Sequence, residues 1–163
     1  MAKNKEEKTN VMRVLEQKKI AYTAHTYPHE EGMAVDGVTV AKSMGFDPAI
    51  VFKTLVARGA SKQYYVFDVP VAENLDLKKA AKAVGEKSIE MIHQKELLPL
   101  TGYVHGGCSP VGMKKLFPTV FHETAENLAA MIVSAGKIGY QVELAPHDLA
   151  ALVRAKFADI IVE

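Results

Sequence analysis

Three features of the chain predict an α+β fold with a mixed β-sheet: short β-branched and aromatic runs, amphipathic segments of helical spacing between them, and an order that never settles into strict βαβ alternation. The clearest pair of runs is Ile50–Ala57 and Tyr64–Val69, which flank Gly59-Ala60-Ser61 in the pattern of an antiparallel hairpin. Their apolar content marks them as central strands.

The remaining elements follow in chain order. Asn10 is suited to cap a first helix whose apolar positions Val11, Met12, Val14 and Leu15 recur at helical spacing, with Lys18 and Lys19 near its end. Ile20–Tyr27 is β-prone and stops at Pro28, and the polar stretch from His29 to Asp36 reads as a loop. A second helix is expected from Gly37 to Met44, stopped by Gly45 and then Pro48. A third runs from Leu77 to Val84 and ends at Gly85, with Leu77, Ala80, Ala81 and Val84 turned inward and Lys78 and Lys82 together on a solvent-facing side. Thr101–Pro118 is too rich in Gly and Pro for one long element and reads as a loop. Thr119–His122, Met131–Ser134 and Gln141–Leu144 are three further strands. Pro146 opens a last helix, with Asp148 in its first turn and Leu149, Leu152 and Val153 buried. No internal repeat, low-complexity tract or long linker interrupts residues 1–163, so one domain is expected.

Composition narrows the function classes. The 163 residues carry 20 Lys plus Arg against 19 Asp plus Glu, a net charge of +1, so any nucleic acid must be held by a local basic patch and not by bulk charge. The charged stretch Met-Ala-Lys-Asn-Lys-Glu-Glu-Lys is no export signal, and no apolar run approaches the roughly 20 residues of a membrane span. With one cysteine, Cys108, neither an intrachain disulfide nor a Cys-rich metal cluster can form, and a cytoplasmic location is expected.

Motif by motif, most chemistry is disfavoured. His25 and His29 have the spacing of a helical metal pair, but Pro28 and the β-prone run before it oppose a helix, so no metal site is expected. Neither Ile132-Val133-Ser134-Ala135-Gly136 nor Gly107-Cys108-Ser109-Pro110-Val111 completes a serine-hydrolase elbow. Gly107 to Gly112 has the frame of a phosphate loop, yet Met113 stands where its Lys belongs. What remains is a glycine-rich loop near Tyr103, Ser109, Lys114 and Lys115. It is either a turn between strands or a set of backbone N–H groups able to take a carbonyl oxygen or a phosphate. Lys53 is the most unusual charge, placed inside Ile50–Ala57. It is either an edge-strand gatekeeper that snorkels to water or an ammonium aimed into a pocket. Cys108 has no His-Asn context and reads as a small loop residue.

Val51-Phe52-Lys53-Thr54-Leu55-Val56, Leu75-Asp76-Leu77-Lys78-Lys79-Ala80-Ala81-Lys82-Ala83-Val84-Gly85 and Thr101-Gly102-Tyr103-Val104-His105-Gly106-Gly107-Cys108-Ser109-Pro110 occur in that order. Leu116-Phe117-Pro118-Thr119, Val133-Ser134-Ala135-Gly136-Lys137 and Glu143-Leu144 with Asp148-Leu149 continue the pattern. Together, from about residue 10 to 161, they resemble the YbaK/EbsC family, and within it the bacterial YbaK branch of Cys-tRNA(Pro)/Cys-tRNA(Cys) deacylases. The resemblance implies a mixed sheet curled into a partial barrel with helices packed around it, and a free-standing editing hydrolase for mischarged Cys-tRNA(Pro). It also implies tRNA as partner, association with prolyl-tRNA synthetase, and no cofactor. In the family's proposed mechanism the substrate's own thiol closes on its ester carbonyl, releasing a thiolactone and tRNA, and the enzyme only orients and stabilises.

By the same resemblance Lys53 is the pocket lysine, and Gly106 and Gly107 turn their N–H groups toward the carbonyl. Tyr27 and Tyr103 frame the aminoacyl group, Ser134 and Gly136 close the opposite wall, and Asp36 and Gly37 lie in a lid loop. Gln141 stands where some relatives carry an acid, and is able to hydrogen-bond the substrate amino group. His122 replaces a usual Asp and has no functional account. Lys78, Lys82, Lys114 and Lys137 are either acceptor-stem contacts or ordinary solvated lysines. The alternatives are an Ala-tRNA(Pro) deacylase of the same family and a non-catalytic module that binds an amino acid or an RNA end.

Overall fold

The computed structural model describes residues 8–30 and 32–163; most of the charged amino-terminal stretch and Glu31 of the polar loop lie outside them. Helix α1 (Asn10–Gln17) is capped by Thr9 and not by Asn10: Thr9 is extended, and its hydroxyl accepts from Met12 N at 3.3 Å. Asn10 is therefore the first helical residue, and Val11, Met12 and Leu15 fall on the buried face. The chain leaves the helix through Lys19 at φ 59°, with Ile20 N donating to Leu15 O at 2.9 Å, so strand β1 (Thr23–Thr26) occupies only the end of its β-prone run.

Helix α2 (Gly37–Met44) has the predicted limits, as does α3 (Leu77–Val84); each ends on a left-handed glycine, Gly45 and Gly85. Asp76 starts α3 by accepting from Lys78 N and Lys79 N at 2.9 and 3.0 Å. Ala80 and Ala81 are buried as expected, but Leu77 is 41% exposed. It shares their side by angle and sits at the helix end, over a shallow groove it lines with Lys78, Ala81 and Ile89. Strands β2 (Phe52–Gly59) and β3 (Tyr64–Pro70) form the expected hairpin, in register from Phe52↔Pro70 to Arg58↔Tyr64.

Among the described residues, two strands and one α-helix have no counterpart in the sequence reading: β4 (Ile89–Met91), α4 (Gln94–Thr101) and, after the strands and helix below, β8 (Ala155–Ala158). The helix α4 carries Pro99 in its interior, and Glu96 stabilises its start by accepting from His93 N at 2.8 Å. Strands β5 (Thr119–His122), β6 (Met131–Ser134) and β7 (Tyr140–Leu144), and helix α5 (Pro146–Val153), lie where predicted.

A five-stranded sheet runs β4-β2-β3-β5-β8, antiparallel across its first three strands and parallel across its last three. A three-stranded antiparallel sheet runs β1-β7-β6. The two meet at a bridge between Val51 and Ile132, so the barrel is partial and open. Side-chain alternation divides the core. Phe52, Val56, Val66 and Phe121 pack inward against Met131, Val133 and Val142, with Val11 and Leu15 of α1 and Leu149 of α5. Ala57, Tyr65, Phe67, Val69 and Val120 face the opposite way, onto Ala80 and Ala81. A smaller cluster of Ala41, Val51, Val71 and Ile132 fixes α2 at the sheet junction.

His122 acquires an account here. It is buried, and its Nδ1 accepts from Ile160 N at 3.3 Å; burial holds its pKa below the usual imidazole value, which favours the neutral ring this bond requires.

Gly37 sets the approach of α2 to the sheet, because a Cβ there would lie 2.5 Å from Val71 Cγ1. Gly37→Ala is expected to destabilise the protein by about 1–3 kcal/mol despite alanine's better helix propensity. Because that Cβ would also lie 2.6 Å from Val71 Cβ, which alanine keeps, Val71→Ala should recover little of the loss, as read from denaturant melts of the single and double variants.

Candidate active site

A cavity of about 290 Å³ opens beside the first half of β2. Strand β4 pairs with β2 only over Ala57–Gly59, so residues 51–55 have no strand along that side, apart from the Val51 bridge. Ile92 N donates to Val56 O at 3.4 Å, which turns the backbone of Val56 toward β4. Strand alternation then turns the N–H and C=O of Phe52 and Thr54 toward the same open edge.

Of the residues singled out by sequence, Lys53, Gly106, Tyr27, Asp36, Gly37, Ser134 and Gln141 all line this one cavity, although they come from distant parts of the chain. Lys53 is half-buried, and no carboxylate lies within ion-pair distance of it among the described residues. Desolvation lowers its pKa, against a smaller opposing pull from the more distant Glu73. Such an ammonium is poorly hydrated and gains from any negative charge that develops beside it.

Gln141 lies on β7 between His25 of β1 and Ser134 of β6 in register. It is 6% exposed, and its Oε1 has no hydrogen-bond partner among the described residues. Ser134 Oγ accepts from Gly136 N at 3.1 Å, and its own hydroxyl hydrogen remains to be given. Tyr27 is buried, with its N–H donating to Gly139 O at 3.0 Å; burial raises its phenol pKa, partly countered by a backbone hydrogen bond from Gly139.

Asp36 reaches the cavity rim as the N-cap of α2. One oxygen accepts from Thr39 N at 3.1 Å and the other from Thr39 Oγ1 at 3.0 Å, and Thr39's hydroxyl, then its N–H, hold the carboxyl below its usual pKa. It is an ionised cap and not a free base. Gly37 is the first residue of the helix and not part of a loop.

Three expected positions stand behind the cavity instead of lining it. Gly107 N donates to Val104 O at 3.0 Å, so that N–H is unavailable to a substrate carbonyl. Glycine is needed there because a Cβ would lie 3.2 Å from Ile138 N and 3.3 Å from Lys137 Cα. Gly106, at φ +90°, keeps its N–H without a partner among the described residues and packs where a Cβ would meet that of Ala34 at 2.7 Å. Tyr103 is buried and donates its hydroxyl to Val111 O; its ring fills the space beside Gly136, where a Cβ would lie 2.9 Å from Cε1. Gly136 supports Ser134 from behind.

Sequence reasoning passed over Thr54, which lines the cavity, and Asp68, its cross-strand partner on β3. Asp68 is 0% exposed, and one of its oxygens is hydrogen-bonded with Thr54 Oγ1 at 2.5 Å. The signal was present: a carboxylate inside Tyr-Tyr-Val-Phe-Asp-Val-Pro is as anomalous as Lys53 inside its own strand. Cys108 also lines the cavity, but its thiol is pushed up to about 12, chiefly by burial and further by Asp68. A protonated thiol is a poor nucleophile. His25 is engaged by Glu143 at 2.8 Å and His29 by Tyr27 O at 3.1 Å.

The lysines considered for phosphate contact are dispersed. Lys78 and Lys82 lie on the exposed side of α3, in a groove with Lys87. Lys114 donates to Pro99 O at 3.2 Å, and Lys137 sits 5.4 Å over the Tyr140 ring. Among the described residues no helix is long and apolar enough to cross a membrane.

The cavity thus brings together an under-solvated ammonium, a loop glycine whose N–H has no partner among the described residues, neutral hydrogen-bonding groups and the engaged carboxylate of Asp36, with a thiol that burial keeps protonated. That set can hold and polarise a carbonyl compound. The Aminoacyl-tRNA editing domain family matches residues 29–152. A protein of Enterococcus faecalis, named as a proposed Cys-tRNA(Pro)/Cys-tRNA(Cys) deacylase, EbsC, is 47% identical over 161 residues, 98% of both chains. The crystal structure of a proposed trans-editing enzyme for prolyl-tRNA synthetase superposes with a TM-score of 0.79 at 25% identity, covering 94% of this chain and 95% of that one. A hypothetical protein, APE2540, shares the fold with a TM-score of 0.82 at 18% identity, covering 93% and 99%. The motifs around Lys53 and Gly106, the cavity they share and these similarities lead to one assignment: the chain belongs to the aminoacyl-tRNA editing domain family, the YbaK/EbsC family.

Proposed function

We propose that this protein is a free-standing, cytoplasmic editing enzyme, residues 1–163 acting as one unit, that deacylates Cys-tRNA(Pro) with prolyl-tRNA synthetase as a partner. The observation that carries the reading is the pairing of a lone cavity ammonium, Lys53, with a cavity thiol, Cys108, that burial keeps protonated. The enzyme has the means to stabilise a developing oxyanion, and the nucleophile is left to the substrate. A synthetase pocket sized for proline gains only about 1–3 kcal/mol of discrimination per methylene, so smaller cysteine and alanine require removal at a second site.

In the reaction, the sulfur of the esterified cysteine attacks its own carbonyl carbon. A C–S bond forms, the ester C–O bond breaks, and the terminal ribose oxygen leaves with a proton, giving a cyclic thiolactone and free tRNA. Lys53 orients the terminal ribose and stabilises negative charge as it builds, and Gly106 N–H assists at the carbonyl oxygen. Tyr27 and Ser134 frame the aminoacyl group, and the Gln141 Oε1 accepts from its ammonium.

The deciding experiment is release of labelled amino acid from Cys-tRNA(Pro), Ala-tRNA(Pro) and Ser-tRNA(Pro) at catalytic protein concentration. Turnover of the cysteinyl ester alone is expected. Sustained release of alanine would refute the substrate-thiol mechanism and select the alanine-editing alternative, and protection of every ester without release would identify a binding module.

Lys53→Ala should lower kcat by roughly 100-fold or more while leaving thermal stability equal or higher, because a desolvated charge is removed; near-parental turnover in the folded variant would contradict its role. Cys108→Ala should retain near-parental kcat, whereas a folded but inactive variant would implicate the protein thiol.

A further inference from the structure

Asp68 is a buried acid without a cation. Its cross-strand neighbour Thr54 forms part of the cavity wall, and their side chains meet at 2.5 Å; the second carboxyl oxygen, Oδ2, has no partner among the described residues. Around it, β2 contributes Thr54, with Lys53 on the opposite face of the strand, and β5 contributes Phe121, with His122 on the opposite face. The loop before β5 contributes Cys108, a neutral thiol. An ionised carboxylate in such a setting would lack both solvent and counter-charge.

The neutral acid resolves the arrangement in one way. With the proton on the oxygen nearest Thr54, the acid O–H donates to Thr54 Oγ1, and the orphaned Oδ2 is a carbonyl oxygen, the least costly polar group to leave unpaired. Thr54 then has its lone pair engaged and its own hydrogen unassigned. That hydrogen has the cavity to point into.

We infer that Asp68 is a positioning residue: as a neutral acid it hydrogen-bonds Thr54 Oγ1 and so makes the Thr54 hydroxyl a donor to the substrate's ester carbonyl. Ionised, Asp68 would accept the Thr54 hydrogen and withdraw the donor. The polarity of one hydroxyl in the cavity is thereby set from behind, by a residue that never meets substrate. The inference rests on the deacylase reading above.

Burial raises the Asp68 pKa to about 7, against a smaller opposing effect of Thr54. The folded protein therefore retains this proton well above the ordinary carboxylate range, and the donor is lost as pH rises through about 7. Asparagine in its place would give an N–H to Thr54 Oγ1 at every pH, as the neutral acid does.

The test compares wild type, Asp68→Asn, Thr54→Val and the double variant in Cys-tRNA(Pro) deacylation between about pH 5.5 and 8.5, each first shown to be folded by circular dichroism. Substrate groups titrate identically in all four, so the ratio of wild-type to Asp68→Asn kcat isolates Asp68. That ratio is expected to fall with a midpoint near pH 7. Thr54→Val should lose roughly 100-fold in kcat, the scale of a lost oxyanion donor, and adding Asp68→Asn should cost nothing further. Carboxyl carbon NMR should show Asp68 titrating near 7 in the wild type without any substrate. A flat ratio, an additive double variant, or Asp68 titrating in the ordinary carboxylate range would overturn the inference. Failure of the wild type to turn over any aminoacyl-tRNA would instead overturn the deacylase reading, with the carboxyl titration still deciding the protonation of Asp68.

Discussion

A length mismatch between neighbouring strands makes the cavity. Strand β2 spans eight residues and β4 three, and the part of β2 that β4 does not reach is where Lys53 and Thr54 stand. An uncovered edge inside a protein leaves backbone donors and acceptors that need partners from water or a ligand. The fold surrounds that edge and pairs little of it: β6 bridges to its start at Val51, α2 starts over it at Gly37, and the Gly106 loop closes one side. The polar wall of Ser134 and Gln141 then faces it from the second sheet.

Burial acts alike on the two charged residues of the hairpin. Lys53 and Asp68 occupy adjacent register positions on β2 and β3, and desolvation is the largest influence on each, favouring the uncharged form in both. They are not a salt bridge, because alternation sends them to opposite faces. The result is a cation that retains much of its field and a carboxyl that holds its proton, an arrangement that a solvent-exposed hairpin would not produce.

Local patterning made much of this legible. Gly45 and Gly85 terminate their helices where left-handed residues are needed, and the β2–β3 hairpin follows from apolar content and its turn. The elements that escaped are those whose structure is decided by neighbours. Ala155-Lys156-Phe157-Ala158 has little strand propensity of its own and is a strand because it lies beside β5. α4 contains an interior Pro99, and β4 has only three residues. At the cavity, Lys53 stood out as a charge in an apolar run, and Gly106 as a loop glycine. Gly107 and Tyr103 could not be separated from true lining residues, since whether an N–H or a phenol is already engaged depends on Val104 and Val111 folding back to meet it. Thr54 became visible only when cross-strand register set it opposite Asp68.

Tyr103 joins two segments that approach the cavity from different directions. Its ring fills the space beside Gly136, behind Ser134, while its hydroxyl secures Val111 in the loop that carries Gly106. A ligand entering this cavity would meet walls already immobilised, so little of its binding free energy would be consumed in ordering the protein. With the substrate's own thiol as the nucleophile, walls of this kind would hold sulfur and carbonyl in attack geometry instead of following the ligand. Here a buried phenol supplies that rigidity.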